Sequence, residues 1–223
     1  MNGAAVDTAT PETADADTLT LARAAVEAAE TVLATARRRV SDLVVVNGRI
    51  DGDKLEAEQT AAHGLAWLAT TVEALKRLSS WADDLSARGQ AGETERLILG
   101  VAAGEYLAQI RGGIPMAQTE MLRPHDLGLM EEDLLPLTSS SCQKLMRYGN
   151  GQAARIALAD RLAEAMESGD PDAFGHHGLD ETLGMVREQF RRFGADRVEP
   201  HAHEWHLEDR LIPIEVVEAM AEL

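Results

Sequence analysis

The chain has 223 residues, a formal net charge of −17 at pH 7, 45% hydrophobic residues and 4% aromatics. Such an excess of carboxylates repels phosphate and so argues against nucleic acid as a partner, while the length suffices for one large or two small domains with a sizeable core. A single cysteine, Cys142, excludes an internal disulfide and suits a reducing compartment.

No apolar run approaches the roughly 20 residues that span a bilayer. The first residues carry acids but no Arg or Lys, so neither a secretion signal nor a transit peptide is expected, and the expected location is the cytoplasm. Residues 1–17 hold hardly a large apolar side chain and cannot offset their ordering entropy, so this tail is expected to be disordered. The first long helix is predicted from Thr18 to about Val46, with Leu21, Ala25, Ala28, Val32, Ala36 and Leu43 near helical spacing. Its end, from Leu43 to Val46, is β-branched and equally suits a short extended piece. Asn47-Gly48 supplies a turn, and Asp51-Gly-Asp53 supplies another with a good N-cap.

The second helix, about 54–87, has the clearest periodicity: Leu65, Leu68, Val72, Leu75, Leu78, Ala82 and Leu85 recur every three or four residues, and Gly89 is a natural stop. A third helix, about 93–111, follows Gly92 and ends at Gly112-Gly113. Pro115, Pro124 and Pro136 mark a looser connection in which Met130 to Asp133 forms a short turn. A fourth helical region, about 137–168, is broken or kinked at Gly149-Asn-Gly151 and stopped by Gly169-Asp-Pro171. No segment alternates with period two. The predicted fold class is therefore all-α, with residues 18–169 packed as an antiparallel helical bundle and residues 170–180 as a linker.

The last stretch, residues 186–223, reads VREQFRRFGADRVEPHAHEWHLEDRLIPIEVVEAMAEL. Val186, Phe190 and Phe193 fall on one helical face, Pro200 is expected to interrupt the ladder, and Pro213 is expected to open a last helix with Ile214, Val217 and Met220 as its stripe. This order of Phe helix, Val-x-Pro, acidic Trp-containing turn, Pro-led helix and Ala-Glu-Leu resembles the opening of the flavin-dependent acyl-CoA dehydrogenases. The segment from Gly104 to Gln118, GEYLAQIRGGIPMAQ, resembles a long helical extension that some members carry ahead of the dehydrogenase core. The alanine-rich region 55–123 resembles, distantly, the helical bundle of that family's C-terminal domain. The resemblance implies that residues 181–223 start the dehydrogenase N-terminal helical domain, which is read here as truncated at Leu223. It further implies FAD in the parent enzyme, an acyl-CoA substrate there, and the rest of the core or a second subunit as partner. In that family a glutamate removes the substrate α-proton while the flavin accepts the β-hydride. That glutamate lies in the C-terminal part of the core, so no residue of this chain inherits its role.

Among groups that carry chemistry, His201-x-His203-x-x-His206 has ligand-like spacing, with His176-His177 upstream and Glu204 and Asp209 nearby. A short His tract between two prolines is only a compositional signal, and no metal is assigned to it. Gly149 to Arg155 suggests a phosphate cradle at a helix start, but it lacks a preceding strand and a P-loop lysine. Gly112-Gly-Ile-Pro115 is more simply a helix stop. Glu105, flanked by Ile98, Val101, Leu107 and Ile110, is the best carboxylate for a raised pKa and a base role; a structural pair with Tyr or Arg is the commoner fate of such a residue. Cys142, beside Ser139, Ser140, Ser141 and Lys144, reads as a small core residue. Trp67 and Trp81 read as bundle contacts.

The resulting expectation assigns no catalytic, cofactor-binding or metal residue to this chain. Its role is a structural or assembly extension of an acyl-CoA dehydrogenase, inactive alone and with no cofactor of its own. The alternative is a free-standing helical interaction module, or a bundle that binds a small ligand.

Overall fold

The computed structural model describes residues 18–170 and 172–223, so the predicted disorder of residues 1–17 lies outside the described residues. The described residues are mostly helical, as an all-α fold requires. They divide into two units, the first ending at His176 and the second running from His177 to Leu223.

The first unit is built on three long helices: α1 (Thr18–Val44), α3 (Gln59–Ala87) and α4 (Glu93–Gly112). Ion pairs and shared core contacts fix their directions. Arg23 pairs with Asp83 and Glu30 with Lys76, so α1 and α3 run antiparallel. Leu68 and Ile110 line one small cavity, and Ala82 meets Leu99, so α3 and α4 also run antiparallel. The seam of α1 is Ala22, Ala25, Ala29, Val32, Ala36, Val40 and Val44. Of the predicted positions, Ala25, Ala28, Val32 and Ala36 are buried, whereas Leu21 is half-buried and Leu43 is exposed. In so alanine-rich a helix the apolar pattern fits more than one face, and the small side chains that admit a close neighbour win. On α3 the stripe is buried as predicted at Leu68, Val72, Leu75, Ala82 and Leu85, with Leu65 and Leu78 at its edge.

The end of α1 does become extended. Val45–Val46 (β1) pairs antiparallel with Arg49–Ile50 (β2) around Asn47-Gly48, both at positive φ (51° and 75°). Two such residues make the type I′ turn that suits a two-residue hairpin. Asp51 then caps α2 (Gly52–Ala57), its carboxylate accepting from the Lys54 N–H at 3.0 Å. The predicted single helix from 54 to 87 is in fact two, because Glu58 (φ −109°, ψ 31°) leaves the helical region between α2 and α3.

After α4 comes a second two-residue pair, Ile114–Pro115 (β3) with Met121–Leu122 (β4). Two 3₁₀ turns follow, at Pro124–Leu127 and Glu131–Thr138, and the second is longer than the turn expected at 130–133. The fourth helical region is broken more often than expected. It comprises α5 (Ser140–Lys144), a π-helical turn at Leu145–Gly149, and α6 (Gln152–Ser168). Arg155 reaches Glu105 and Arg161 reaches Glu93, so α6 lies antiparallel along α4. No residue of α6 is buried; it is an outer helix, and the core is closed instead by Leu134, Leu137, Cys142 and Leu145 from the turns before it.

The second unit contains α7 (Glu181–Phe193), α8 (Glu199–Leu207) and α9 (Ile214–Ala221), with a π-helical turn at Gly194–Val198 between the first two. Asp180 caps α7, accepting from the Leu183 N–H at 2.8 Å. Pro200 does not stop the chain from being helical. It sits in the first turn of α8, where its missing N–H has no partner to lose. Pro213 is the N-cap of α9, one position outside the first turn.

Candidate functional site

The most organised polar constellation outside the helix ladders gathers around Glu105, on the α4 face that meets the π-helical turn and α6. One carboxylate oxygen of Glu105 accepts from Gln109 Nε2 at 3.0 Å. The other accepts from Asn150 Nδ2 at 2.8 Å and from the Arg155 guanidinium at 2.9 Å. These elements come close because three glycines let backbones touch. A Cβ on Gly104 would stand 2.4 Å from the Leu145 carbonyl oxygen, and one on Gly149 would stand 2.9 Å from the Gly100 carbonyl oxygen.

This geometry overturns the base reading of Glu105. The hydrogen bonds from Asn150 and then Gln109 stabilise the ionised carboxylate, Arg155 adds to them, and together they outweigh the desolvation that opposes them, so the pKa is lowered. The side chain is 42% exposed. A carboxylate held ionised by three donors is a poor proton acceptor; Glu105 is instead the anchor that ties α4 to α6, the structural pairing with an Arg.

The phosphate cradle fares no better. Gly149 is pressed against Gly100, and Arg155 is committed to Glu105. With Gly149 closed against backbone and Arg155 already paired, these residues do not fit a flavin pyrophosphate either. The histidines are apart in role: His201 stacks on Trp205 with ring centroids 5.6 Å apart, and His176 and His177 belong to the connecting segment. Among the described residues no group of three His, Cys, Asp or Glu side chains is arranged to hold a metal ion. Cys142 is buried in the main core cluster, and burial pushes its thiol pKa up, which makes it an unreactive thiol. Trp67 packs on the same cluster and donates to His63 Nε2 at 2.9 Å, while Trp81 packs at the other end of the bundle. An open groove lies between the start of α3 and the β3–β4 loop, lined by Leu55, Glu56, His63, Met116, Glu120 and Met121.

Sequence reasoning missed Glu95. It is 3% exposed, the one buried carboxylate among the described residues. Its signal was the spacing Gly92-x-x-Glu95, a capping-box pattern with glycine in place of serine. In the second unit Glu188 bridges Arg191 and Arg192 at 2.7 and 2.8 Å, and these bonds lower its pKa to about 2.

No protein-family model matches the chain. The chain is 47% identical over 207 residues to a (2S)-methylsuccinyl-CoA dehydrogenase of Cereibacter sphaeroides. The match takes in 93% of this chain but 36% of that protein, so the chain spans little more than a third of its relative's length. Among the described residues no helix is long and apolar enough to cross a membrane. The similarity runs through both units and agrees with the resemblance to acyl-CoA dehydrogenases carried by residues 104–118 and 186–223.

Proposed function

We propose that this chain is the helical N-terminal portion of an FAD-dependent dehydrogenase that oxidises methylsuccinyl-CoA to mesaconyl-CoA. Its own part in that enzyme is structural: an extension bundle (18–169), a linker (170–180) and the opening helices of the dehydrogenase domain (181–223). The observation that carries this reading is the 47% identity over 93% of the chain. Two features support it. The polar constellations are anchors and caps, with Glu105 held ionised by three donors. The second unit offers Phe190, Leu211, Ile214 and Met220 to a surface it does not itself contain. Its partner is the remainder of the dehydrogenase, in the same subunit or a neighbouring one. Nucleic acid is not a partner for a surface of this charge, and the lone Cys142 suits the cytoplasm.

The test is complementation. The chain is expressed alone and together with the unmatched remainder of the Cereibacter sphaeroides relative, and flavin absorbance and methylsuccinyl-CoA oxidation are measured. Alone it should carry neither. Together the two parts should co-purify and turn over substrate. A chain that carries flavin and activity by itself overturns the structural role. A chain that stays a soluble monomer and ignores the remainder supports the free-standing module.

A further inference from the structure

Glu95 has more bonds than a helix cap needs. It sits in the first turn of α4, and its Oε2 accepts from the Gly92 N–H at 2.8 Å, closing that helix end. Its Oε1 accepts from the His176 N–H at 2.6 Å, a partner 81 residues further on. Gly175, beside that donor, has φ +77°, and a Cβ there would stand 2.7 Å from Glu95 Oε1 and 3.2 Å from Thr94 Cγ2. The neighbours of Glu95 hold the same region from the other side: Arg161 of α6 pairs with Glu93 and lies 3.5 Å from Thr94 Oγ1. Three consecutive residues, Glu93, Thr94 and Glu95, thus grip both α6 and the chain that has left it.

We infer that Glu95 is a clamp that fastens residues 175–176 to the start of α4, so that the chain stays held to the first unit beyond the end of α6 at Ser168. A carboxylate buried this fully needs donors for both oxygens, and the His176 N–H supplies the second at 2.6 Å. This inference stands on the first unit alone and does not depend on the dehydrogenase reading.

Two variants of the full chain separate a clamp from a plain helix cap. Gly175→Ala forces a Cβ onto the oxygen that serves His176 and leaves the one on Gly92 in place. Glu95→Gln leaves one acceptor oxygen for two donors. Amide exchange of His176 and the rate of limited proteolysis between residues 169 and 180 are measured, with the α4 first-turn amides as internal reference. In Gly175→Ala, His176 should lose protection by about tenfold or more, the worth of one hydrogen bond to a charged group, and cleavage should accelerate. The α4 amides should keep their protection there. In Glu95→Gln at least one of the two sites should lose protection. Wild-type-like exchange at His176 and wild-type-like cleavage in Gly175→Ala overturn the clamp, as does a His176 amide that already exchanges freely in the wild type.

Discussion

Glu105 and Gly104 are adjacent and make opposite demands on the same interface. The ionised carboxylate of Glu105 is the form that binds Asn150, Gln109 and Arg155, so its lowered pKa is also a statement about stability. The unfolded side chain titrates near 4.5 and the folded one below it. Its contribution is therefore complete above about pH 5 and fades as the pH falls through the lowered folded value. Because the side chain is 42% exposed, solvent screening holds that contribution to about 1 kcal/mol. Glu105→Gln should lower unfolding free energy by about that much at pH 7 and by much less near pH 3, as read by urea titrations at both values. An equal deficit at the two pH values would show that charge is not the cause. Gly104 answers to sterics alone. An added methyl meets the Leu145 carbonyl at 2.4 Å and Asn150 Cβ at 2.6 Å, and backbone cannot swing aside as a side-chain tip can. Gly104→Ala should cost about 2 kcal/mol or more. At Gly112 a Cβ meets nothing within 4 Å, and Gly112→Ala should be near neutral or slightly stabilising; urea titrations of both variants at pH 7 check the contrast.

At the scale of elements, α3 and α6 are both long helices with quite different fates. Leu68 and Leu75 of α3 are 2% and 0% exposed and face α1 and α4 across the main core cluster. Replacing either with Ala leaves a cavity and should cost about 2–5 kcal/mol in chemical denaturation. A cost near zero at both would mean that the stripe is not the bundle's seam. On α6 the large apolar residues Ile156, Leu162 and Met166 are exposed, and the helix is held to α4 by Arg155 and Arg161. Ion pairs at an exposed edge are worth far less than a buried leucine. The opposite ranking is visible in α1, where alanines form the seam and the leucines at positions 21 and 43 lie at its margin.

For the whole molecule the two units differ in what they bury. Core residues from Ala22 to Leu145 are all in the first unit, while α7, α8 and α9 contain no buried residue. Leu211 is 92% exposed, and Phe190, Ile212, Ile214, Val217 and Met220 are exposed with it. Local stability follows buried apolar contact, so helices without it open readily. Amides of residues 181–223 should exchange markedly faster than those of 60–85 in the isolated chain, or else the chain should self-associate in sedimentation experiments through this surface. A monomer that protects both regions equally would show that the second unit stabilises itself.

The amino-acid sequence by itself determined the all-α class, the stripe of α3, the Asn47-Gly48 turn, the Asp51 cap and the resemblance to the acyl-CoA dehydrogenases. Each of these is written in neighbouring residues: a repeat of three and four, a pair that tolerates positive φ, a side chain three residues from its donor. Tertiary structure alone decided which face of α1 is the seam, where the fourth helical region breaks, and what Glu105 and Glu95 do. Glu105 looked suited to a raised pKa because its sequence neighbours are apolar; its pKa is instead lowered by Asn150 and Arg155, 45 and 50 residues away. Glu95 receives the donor for its second oxygen from His176, 81 residues on, a partner that no local spacing indicates. A carboxylate's state is set by the donors that surround it, and only the folded chain brings those donors together.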